Sequence, residues 1–369
     1  MSYKVLISVC LPTLNAREYL EQRVESILSQ TVTDWELIVC DSFSNDGTWE
    51  YLQQFRDDPR VRLHQVPKEG LYAGWNECLK RAEGEYVYIA TADDTMMPTC
   101  LEDLMSPLMA YPEVGFAIGG VEQIDEKGRV MESSRKEIQS FIQPYLQTPW
   151  VRFSREAMFL MLAGFAWGLG SVTGFLFRRA ILQKSGLFPT DLSYLGDAEW
   201  TLRAVLASDV VWVRKKLATW RYHPRQASRT TDRLHEAWLF REALRRVVDD
   251  PSSGIPPTWR DVGSWRSLLL TPRSDELEMA TRLTRSNIPI YWRRFFGWSW
   301  ETFRLDPKLL WRRLRVGFGS SESWNFSATA TVEFWMCKFQ AHWPPTPIAN
   351  AMERQNHTLS ESQRYVKSA

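Results

Sequence analysis

The sequence predicts an α/β fold, with a doubly wound, mainly parallel sheet flanked by helices and a mostly helical C-terminal extension. Two observations predict it. Up to about Gly120, short apolar runs alternate with helix-like segments, which is typical of successive βα units. Within those segments, apolar residues recur three and four positions apart, so that each helix presents one apolar stripe to the sheet.

Four apolar runs have the length and composition of buried strands, and a helix-like segment follows each of them. The runs are Val5–Leu11, Glu36–Cys40, Val61–Gln65 and Tyr86–Ala90. Parallel strands need a long crossover connection, usually a helix. The alternation therefore favours parallel pairing of these strands.

Three helices are predicted between and after the strands. The first, Arg17–Gln30, has a stripe of Leu20, Val24, Ile27 and Leu28. The second, Trp75–Ala82, carries Leu79 on its stripe. The third follows Pro98, and its stripe consists of Leu101, Leu104, Met105 and Leu108. Each stripe is expected to pack on the sheet.

The second half of the domain has a weaker pattern. Val121–Leu169 contains several helix breakers and is expected to form loops or short helices over the sheet. Strand-like runs return at Gly174–Phe177 and Asp209–Val213, with a predicted helix Ala198–Ala207 between them. A further amphipathic helix is predicted over Arg233–Val248.

A cluster of Asp, Ser, Gly and Pro at 249–257 then breaks the chain. We therefore predict two domains, 1–249 and 250–369. The second is expected to be helical and rich in Trp and Arg, with a frayed polar tail.

Charge, cysteine spacing and the length of apolar runs limit the classes of protein to which the chain can belong. The chain has 369 residues and a net charge of +1, so its charge does not indicate a nucleic-acid partner. The five cysteines lack C-x-x-C spacing, which favours buried thiols in a reducing compartment over a disulfide scaffold or a zinc site. No apolar stretch reaches the ~20 residues that span a bilayer, and the N-terminal run is typical of a strand rather than a signal peptide. A cytoplasmic location is expected.

Polar segments follow the predicted strands at the positions where open parallel sheets bind ligands. They are Pro12–Asn15, Asp41–Thr48 and Thr91–Thr95. Each alone is explained by a helix cap or a turn. Together they suit a nucleotide diphosphate, because Asp41 can accept hydrogen bonds from a base or ribose, while Asp93 and Asp94 can hold Mg²⁺ or Mn²⁺ against the phosphates.

Four segments resemble family 2 of the inverting glycosyltransferases, which have the GT-A fold. They are Ser8–Asn15, Asp41–Thr48, Gly70–Asp94 and Gly174–Arg203, and the likeness extends from Val5 to about Ser228. Their order and spacing are more specific than any one motif. The resemblance implies transfer of one sugar from a UDP- or dTDP-sugar to a hydroxyl of a saccharide or lipid-linked acceptor, in cell-surface polysaccharide or glycolipid synthesis.

The resemblance also implies a donor site. Its expected nucleotide-binding residues are Pro12, Thr13, Asn15, Asp41, Lys68 and Asp93. The acidic motif of the family maps to Ala92–Asp94, with Asp94 as the better metal ligand, Asp93 near the ribose or metal, and His223 as a third ligand. Thr91 stands where many members carry a further aspartate.

The acidic pair of the family maps to Gly196 and Asp197, so Asp197 is the expected general base, with Glu199 in reserve. A base opposite the leaving diphosphate would deprotonate the acceptor and invert the anomeric centre. The alternative is that Asp197 only caps the helix Ala198–Ala207 and that Glu199 only favours the positive end of that helix. Arg221 and Arg225, in a segment resembling one that closes over the diphosphate, are expected to bind phosphate or to pair with surface carboxylates.

Two further interpretations stay open. A non-catalytic scaffold that keeps the fold but has lost the chemistry is the alternative function, whereas a polymerising synthase would need membrane helices and a Q-x-x-R-W motif. In the C-terminal region, Ile288–Val316 interleaves aromatic residues with arginines. That pattern suits a peripheral membrane contact, or equally an aromatic core with a basic face or a homo-oligomer interface.

Overall fold

The computed structural model describes residues 6–131, 148–165, 171–226, 233–255 and 346–348. Within these ranges the strands are β1 (Ile7–Thr13), β2 (Trp35–Asp41), β3 (Val61–Gln65), β4 (Tyr86–Ile89), β5 (Val114–Ile124), β6 (Trp150–Phe153), β7 (Phe175–Arg178), β8 (Asp209–Arg221) and β9 (Thr346–Ile348). The helices are α1 (Arg17–Leu28), α2 (Thr48–Leu52), α3 (Leu71–Arg81), α4 (Cys100–Ala110), α5 (Arg155–Phe165), α6 (Leu182–Ser185), α7 (Gly196–Ala207) and α8 (Arg233–Asp249).

The described strands form one sheet in the order β3-β2-β1-β4-β7-β5-β8-β6-β9. β1 pairs in parallel with β2 and β4, and β2 with β3. β7 is antiparallel to both of its neighbours, so β5 and β8 again run in the direction of β1. The carboxyl ends of β1, β2, β4 and β8 therefore lie at the same edge of the sheet.

Helices cover both faces of the sheet. On one face α1 and α4 bury the predicted stripes, and Leu20, Val24, Ile27, Leu101, Leu104 and Leu108 are all fully buried. On the other face α3, α5 and α7 form a second core that includes Leu79 and Trp200. Such two-sided covering is what a mainly parallel sheet requires. The predicted α/β class is confirmed, although Leu28 is partly exposed rather than in the stripe.

The expectation of loops or short helices over Val121–Leu169 is wrong for two strands, although α5 is a short helix within this range. β5 continues to Ile124, and β6 adds an antiparallel strand at the edge of β8. β8 is also longer than predicted, reaching Arg221. The register between β5 and β8 shifts around Gly120, at a β-bulge. Around this point β5 changes from buried to partly exposed residues, so it has no alternating pattern by which the sequence could show its length.

The chain beyond α8 is described only at 250–255 and 346–348. Ile255 is buried, and Thr346–Ile348 pairs with β6, where a frayed tail was expected. The predicted helical region, the Ile288–Val316 run and Cys337 lie outside the described residues. In the parts of the chain that are described, no helix is both long and apolar enough to cross a bilayer.

Candidate active site

A cavity of about 720 Å³ lies at the carboxyl ends of the strands. The segments after β1, β4 and β8 line one side of it, and α3 and the start of α7 line another. This is the edge at which an open α/β sheet is expected to bind ligands. Of the residues predicted from sequence, the cavity is lined by Pro12, Thr13, Asn15, Lys68, Asp93, Asp94, Asp197, His223 and Arg225.

Asp41 lies behind the cavity and organises the loops that line it. Its side chain is fully buried, and Oδ1 accepts hydrogen bonds from the hydroxyls of Thr13 (2.8 Å) and Ser44 (2.6 Å). Oδ2 accepts one from the backbone N–H of Ser44 at 2.9 Å. Both carboxylate oxygens are therefore engaged by the protein, and the structure does not bring Asp41 to the cavity surface.

The two loops after β1 and β2 are joined by further hydrogen bonds. The side chain of Asn15 accepts one from the N–H of Asn45 at 3.0 Å, and its own N–H donates to Ser44 Oγ at 2.8 Å. Asn15 has a φ of 49°, a left-handed conformation that asparagine tolerates better than most residues. The loops at this end of the sheet are thus held in one arrangement.

Asp93 and His223 form a pair on the cavity surface. His223 Nε2 lies 3.0 Å from Asp93 Oδ2, although 130 residues separate them in sequence. The pairing of Thr95 with Thr219 brings the segments after β4 and β8 together, with Thr219 N–H donating to the Thr95 carbonyl at 2.8 Å. His223 is buried, and its Nδ1 has no hydrogen-bond partner among the described residues.

Asp94 differs from its neighbour in its surroundings. It is 1% exposed, and its Oδ1 accepts the backbone N–H of Arg221 at 2.7 Å while Oδ2 accepts the hydroxyl of Thr91. Burial, and secondarily the charge of Asp93, raises the pKa of the Asp94 carboxyl above its ordinary value. The carboxylate of Asp94 thus anchors the end of β8, and Asp93 is the more available ligand.

Arg221 is fully buried and does not line the cavity. Its Nε donates to the Asp93 carbonyl at 2.8 Å, and Nη2 donates to Gln22 Oε1 at 2.7 Å. Nη1 donates to two carbonyls of the turn after β5, and the guanidinium lies 4.5 Å from the centre of the Tyr19 ring. These contacts occupy the side chain, so Arg221 supports Asp93 rather than facing a phosphate.

Two other cations do face the cavity. Arg225 and Lys68 both line it, and both are exposed. Arg225 forms an ion pair with Glu18 in the first turn of α1. Exposed pairs of this kind are weak, so they exchange partners at little cost.

Asp197 is the first acidic residue of α7, and it lines the cavity. Its Oδ1 accepts hydrogen bonds from the hydroxyl of Tyr72 at 2.8 Å and from the N–H of Ala198 at 3.0 Å. Burial raises the pKa of Asp197 to about 6, against the lowering effect of these hydrogen bonds. A carboxylate of this kind is a stronger base than a free aspartate and is still ionised at neutral pH.

Glu199, the reserve candidate, does not line the cavity. It is buried, and both of its carboxylate oxygens pair with the guanidinium of Arg203, at 2.8 and 2.6 Å. Its environment is that of a structural ion pair within one helix. The geometry favours Asp197 as the base.

Sequence analysis missed the aromatic residues of the cavity, Tyr19, Tyr72, Trp75, Tyr194 and Trp220. Two of them, Tyr72 and Trp75, lie inside the Gly70–Asp94 segment that carried the resemblance. Trp75 falls at the start of the predicted helix, where an aromatic residue is indistinguishable from a core residue. No local signal separates the two roles.

Some of the residues that line the cavity could bind a divalent cation. Among the described residues, no group of three or more His, Cys, Asp or Glu side chains is placed to hold a metal. One carboxylate and one imidazole, Asp93 and His223, do face the same space. Mg²⁺ and Mn²⁺ at phosphate sites are commonly held by one or two protein ligands, with the substrate and water completing the coordination.

A mainly parallel sheet with a cavity at its carboxyl edge, lined by Asp93, His223 and Asp197, is the arrangement expected of a GT-A glycosyltransferase. Comparison with known proteins agrees. The model of glycosyl transferase family 2 matches residues 8–186. The chain belongs to this family.

Two relatives show how far the likeness extends. An uncharacterized protein of Mycobacterium tuberculosis is 32% identical over 226 residues, covering 59% of this chain and 68% of that protein. The putative teichuronic acid biosynthesis glycosyltransferase TuaG of Bacillus subtilis is 36% identical over 123 residues, covering 32% of this chain and 49% of that protein. The match with TuaG thus spans about half of the length of that protein.

Solved structures share the fold at low identity. The 1–349 fragment of TarS from S. aureus, in complex with UDP, has a TM-score of 0.56 at 16% identity, covering 83% of this chain and 82% of that one. The mannosyltransferase PcManGT from Pyrobaculum calidifontis, in complex with GDP-Man and Mn²⁺, has a TM-score of 0.54 at 16% identity, covering 89% and 88%. Both confirm the predicted fold.

Proposed function

We propose that this chain is an inverting glycosyltransferase that moves one sugar from a nucleotide-diphosphate donor to an acceptor hydroxyl. One observation carries the proposal: a single cavity presents both the Asp93–His223 pair and the carboxylate of Asp197. The pair suits the diphosphate of the donor, and Asp197 suits the attacking hydroxyl. One cavity then holds a protein group for the leaving diphosphate and another for the hydroxyl that attacks the anomeric carbon.

On the donor side, Asp93 and His223 would hold Mn²⁺ or Mg²⁺, which when bound stabilises a leaving diphosphate. Lys68 and Arg225 add positive charge for the phosphate oxygens. We assign the nucleoside to the end of β1, where Asp41 fixes Thr13 by a hydrogen bond and Thr13 lines the cavity.

On the acceptor side, Asp197 takes the proton of the hydroxyl as its oxygen bonds to the anomeric carbon and the bond to the diphosphate breaks. Attack from the face opposite the leaving group inverts the configuration. Because the pKa of Asp197 is raised to about 6, the ionised carboxylate holds that proton more tightly than an ordinary aspartate would. Asp197 therefore activates the acceptor.

We favour a UDP- or dTDP-sugar as donor and a saccharide or lipid-linked acceptor, in cell-surface polysaccharide or glycolipid synthesis. The name of TuaG, a relative assigned to teichuronic acid biosynthesis, supports that setting. We place the enzyme in the cytoplasm or on the cytoplasmic face of the membrane, since Cys10, Cys40, Cys78 and Cys100 are free thiols, as in reducing compartments.

Calorimetric titration of UDP, dTDP and GDP, each with and without Mn²⁺, tests the donor site. We expect one diphosphate to bind in a metal-dependent way to the wild type and to Asp197→Asn, but not to Asp93→Asn. Binding that ignores both Mn²⁺ and Asp93 would contradict the donor site. Metal-dependent binding without turnover of the matching nucleotide sugar would favour the non-catalytic scaffold instead.

A further inference from the structure

We propose that Tyr72 is the positioning residue of Asp197, and that Tyr72 and Asp197 together replace the acidic pair of the family. The proposal rests on the function proposed for Asp197 above. It concerns a residue on α3 that acts on the first turn of α7.

Tyr72 touches the carboxylate directly. Its side chain is 2% exposed, and its hydroxyl oxygen lies 2.8 Å from Asp197 Oδ1 and 2.6 Å from the carbonyl oxygen of Tyr194. Since a phenol has a single proton, these two acceptors share it. Burial and the charge of Asp197 raise the pKa of Tyr72 well above 10, so this hydroxyl stays a donor wherever Asp197 is ionised.

Gly196 makes room for this contact. A Cβ added at Gly196 would lie 2.5 Å from the Tyr72 ring and 2.6 Å from the Pro189 carbonyl oxygen, closer than real Cβ atoms approach other heavy atoms. An acidic side chain at this position could not coexist with the ring where it is. The glycine in the first position of the acidic pair is therefore explained by the presence of Tyr72.

The ring of Tyr72 is itself fixed. It stacks on Phe188 with 5.9 Å between ring centres and meets the edge of Trp75 at 5.2 Å. The side chain of Asn76 clamps the backbone of Phe188 with two hydrogen bonds, of 2.8 and 2.9 Å. With its rotation restricted in this way, the hydroxyl is held against Asp197 before any substrate enters.

The other ionisable groups near Asp197 lie on several different elements of the fold. Tyr72 faces it from α3, and Tyr194 precedes it in the turn before α7. Glu199 on α7 is neutralised by Arg203. Across the cavity lie Lys68, Asp93, His223 and Arg225. Tyr72 is the side-chain donor identified on Asp197 in the described structure, and its hydrogen bond favours the ionised carboxylate.

The test is a carbon-13 NMR titration of protein labelled at the aspartate carboxyl carbons, with the Asp197 signal assigned by its loss in Asp197→Asn. For Tyr72→Phe we expect the titration midpoint of Asp197 to rise by about one pH unit, because a donor to the carboxylate is lost. Gly196→Ala should raise it in the same direction by displacing the ring. Tyr51→Phe, on α2 outside the cavity, is the matched control and should leave it unchanged.

An unchanged midpoint in folded Tyr72→Phe would overturn the proposal, and so would a shift equal to that of the control. If Tyr72→Phe does not fold, Gly196→Ala decides by the same titration. Unfolding of both variants would also count against the proposal, since the contact would then hold the whole fold. The titration needs neither nucleotide nor turnover, so its outcome is independent of whether Asp197 proves to be the base.

Discussion

The cavity has two walls of different construction. The strand-end wall, with Thr13, Asp93 and His223, follows β1, β4 and β8, and is held mainly by hydrogen bonds that involve backbone groups of neighbouring loops. The helix wall, with Tyr72 and Asp197, is held by packed aromatic rings and by side-chain hydrogen bonds of Tyr72 and Asn76. The first wall is mainly polar, whereas the second places aromatic rings around one carboxylate. Under the proposed function, the first wall binds the donor and the second activates the acceptor.

The largest expected effect tests this separation directly. Asp197→Asn should lower turnover of the donor by roughly 10²–10⁴-fold, the usual contribution of a general base. Affinity for the nucleotide should stay the same, because that is a property of the strand-end wall. Release of nucleoside diphosphate and calorimetry measure the two quantities.

Glu199→Gln is the matched control, since Glu199 lies on the same helix but pairs with Arg203. We expect its turnover to stay close to that of the wild type. Equal losses of turnover in the two variants would break the assignment of the base.

The second prediction concerns the support behind the strand-end wall. Arg221→Lys should lower the free energy of unfolding by about 2–4 kcal/mol, because an ammonium cannot replace the planar set of donors and leaves buried carbonyls without partners. Urea unfolding measures it. Arg225→Lys, at an exposed arginine four residues after the buried one, should change stability by less than about 0.5 kcal/mol. Similar changes in the free energy of unfolding for the two variants would contradict the structural role of Arg221.

The third prediction concerns the helix wall and pH. The pKa of Asp197 is raised from 3.8 to about 6, so the folded protein binds this proton more tightly than the unfolded chain does. Its ionisation therefore destabilises the fold progressively as pH rises from about 4 to 6. Relative to the wild type, Asp197→Asn should gain about 1–3 kcal/mol between pH 4 and pH 8. Urea unfolding at both pH values measures this, and a difference independent of pH would contradict it.

The smallest expected effect is at the rim of the strand-end wall. Arg225→Ala should weaken binding of the nucleoside diphosphate by up to about fivefold, the range of an exposed ion pair. The effect should shrink at high salt, because exposed charges are screened. Glu18→Gln should act in the opposite direction by freeing Arg225, and calorimetry at two salt concentrations measures both. Weakening by both variants would show that the ion pair itself shapes the site.

Most of the fold follows from local pattern. The strands β1 to β4 and the stripes of α1 and α4 were predictable because each needs only a few consecutive residues to be recognised. The extension of β5 and the strand β6 were not, because their pairing with β8 depends on residues far along the chain and on a shift of register. Local periodicity carries no information about either.

The candidate site, like the fold, could be predicted from the sequence only in part. Motifs after the strands located the cavity, since ligands bind at the carboxyl ends of parallel strands. The family resemblance located the candidate base. Sequence could not show that Asp94 is buried and bonded to the end of β8, or that Arg221 lies behind the cavity, while Asp93 is more exposed. It also could not show that Tyr72 reaches Asp197, a contact between residues 125 positions apart. Adjacent residues of one motif thus have opposite environments that only the packing decides.

The strand Thr346–Ile348 covers the edge of β6 in the described sheet. It pairs antiparallel with β6, whose other edge pairs with β8. A chain shortened to residue 255 would lose this cover and present a row of backbone N–H and C=O groups, which is a template for another chain. Dimers or larger aggregates joined edge to edge would follow, increasing with protein concentration.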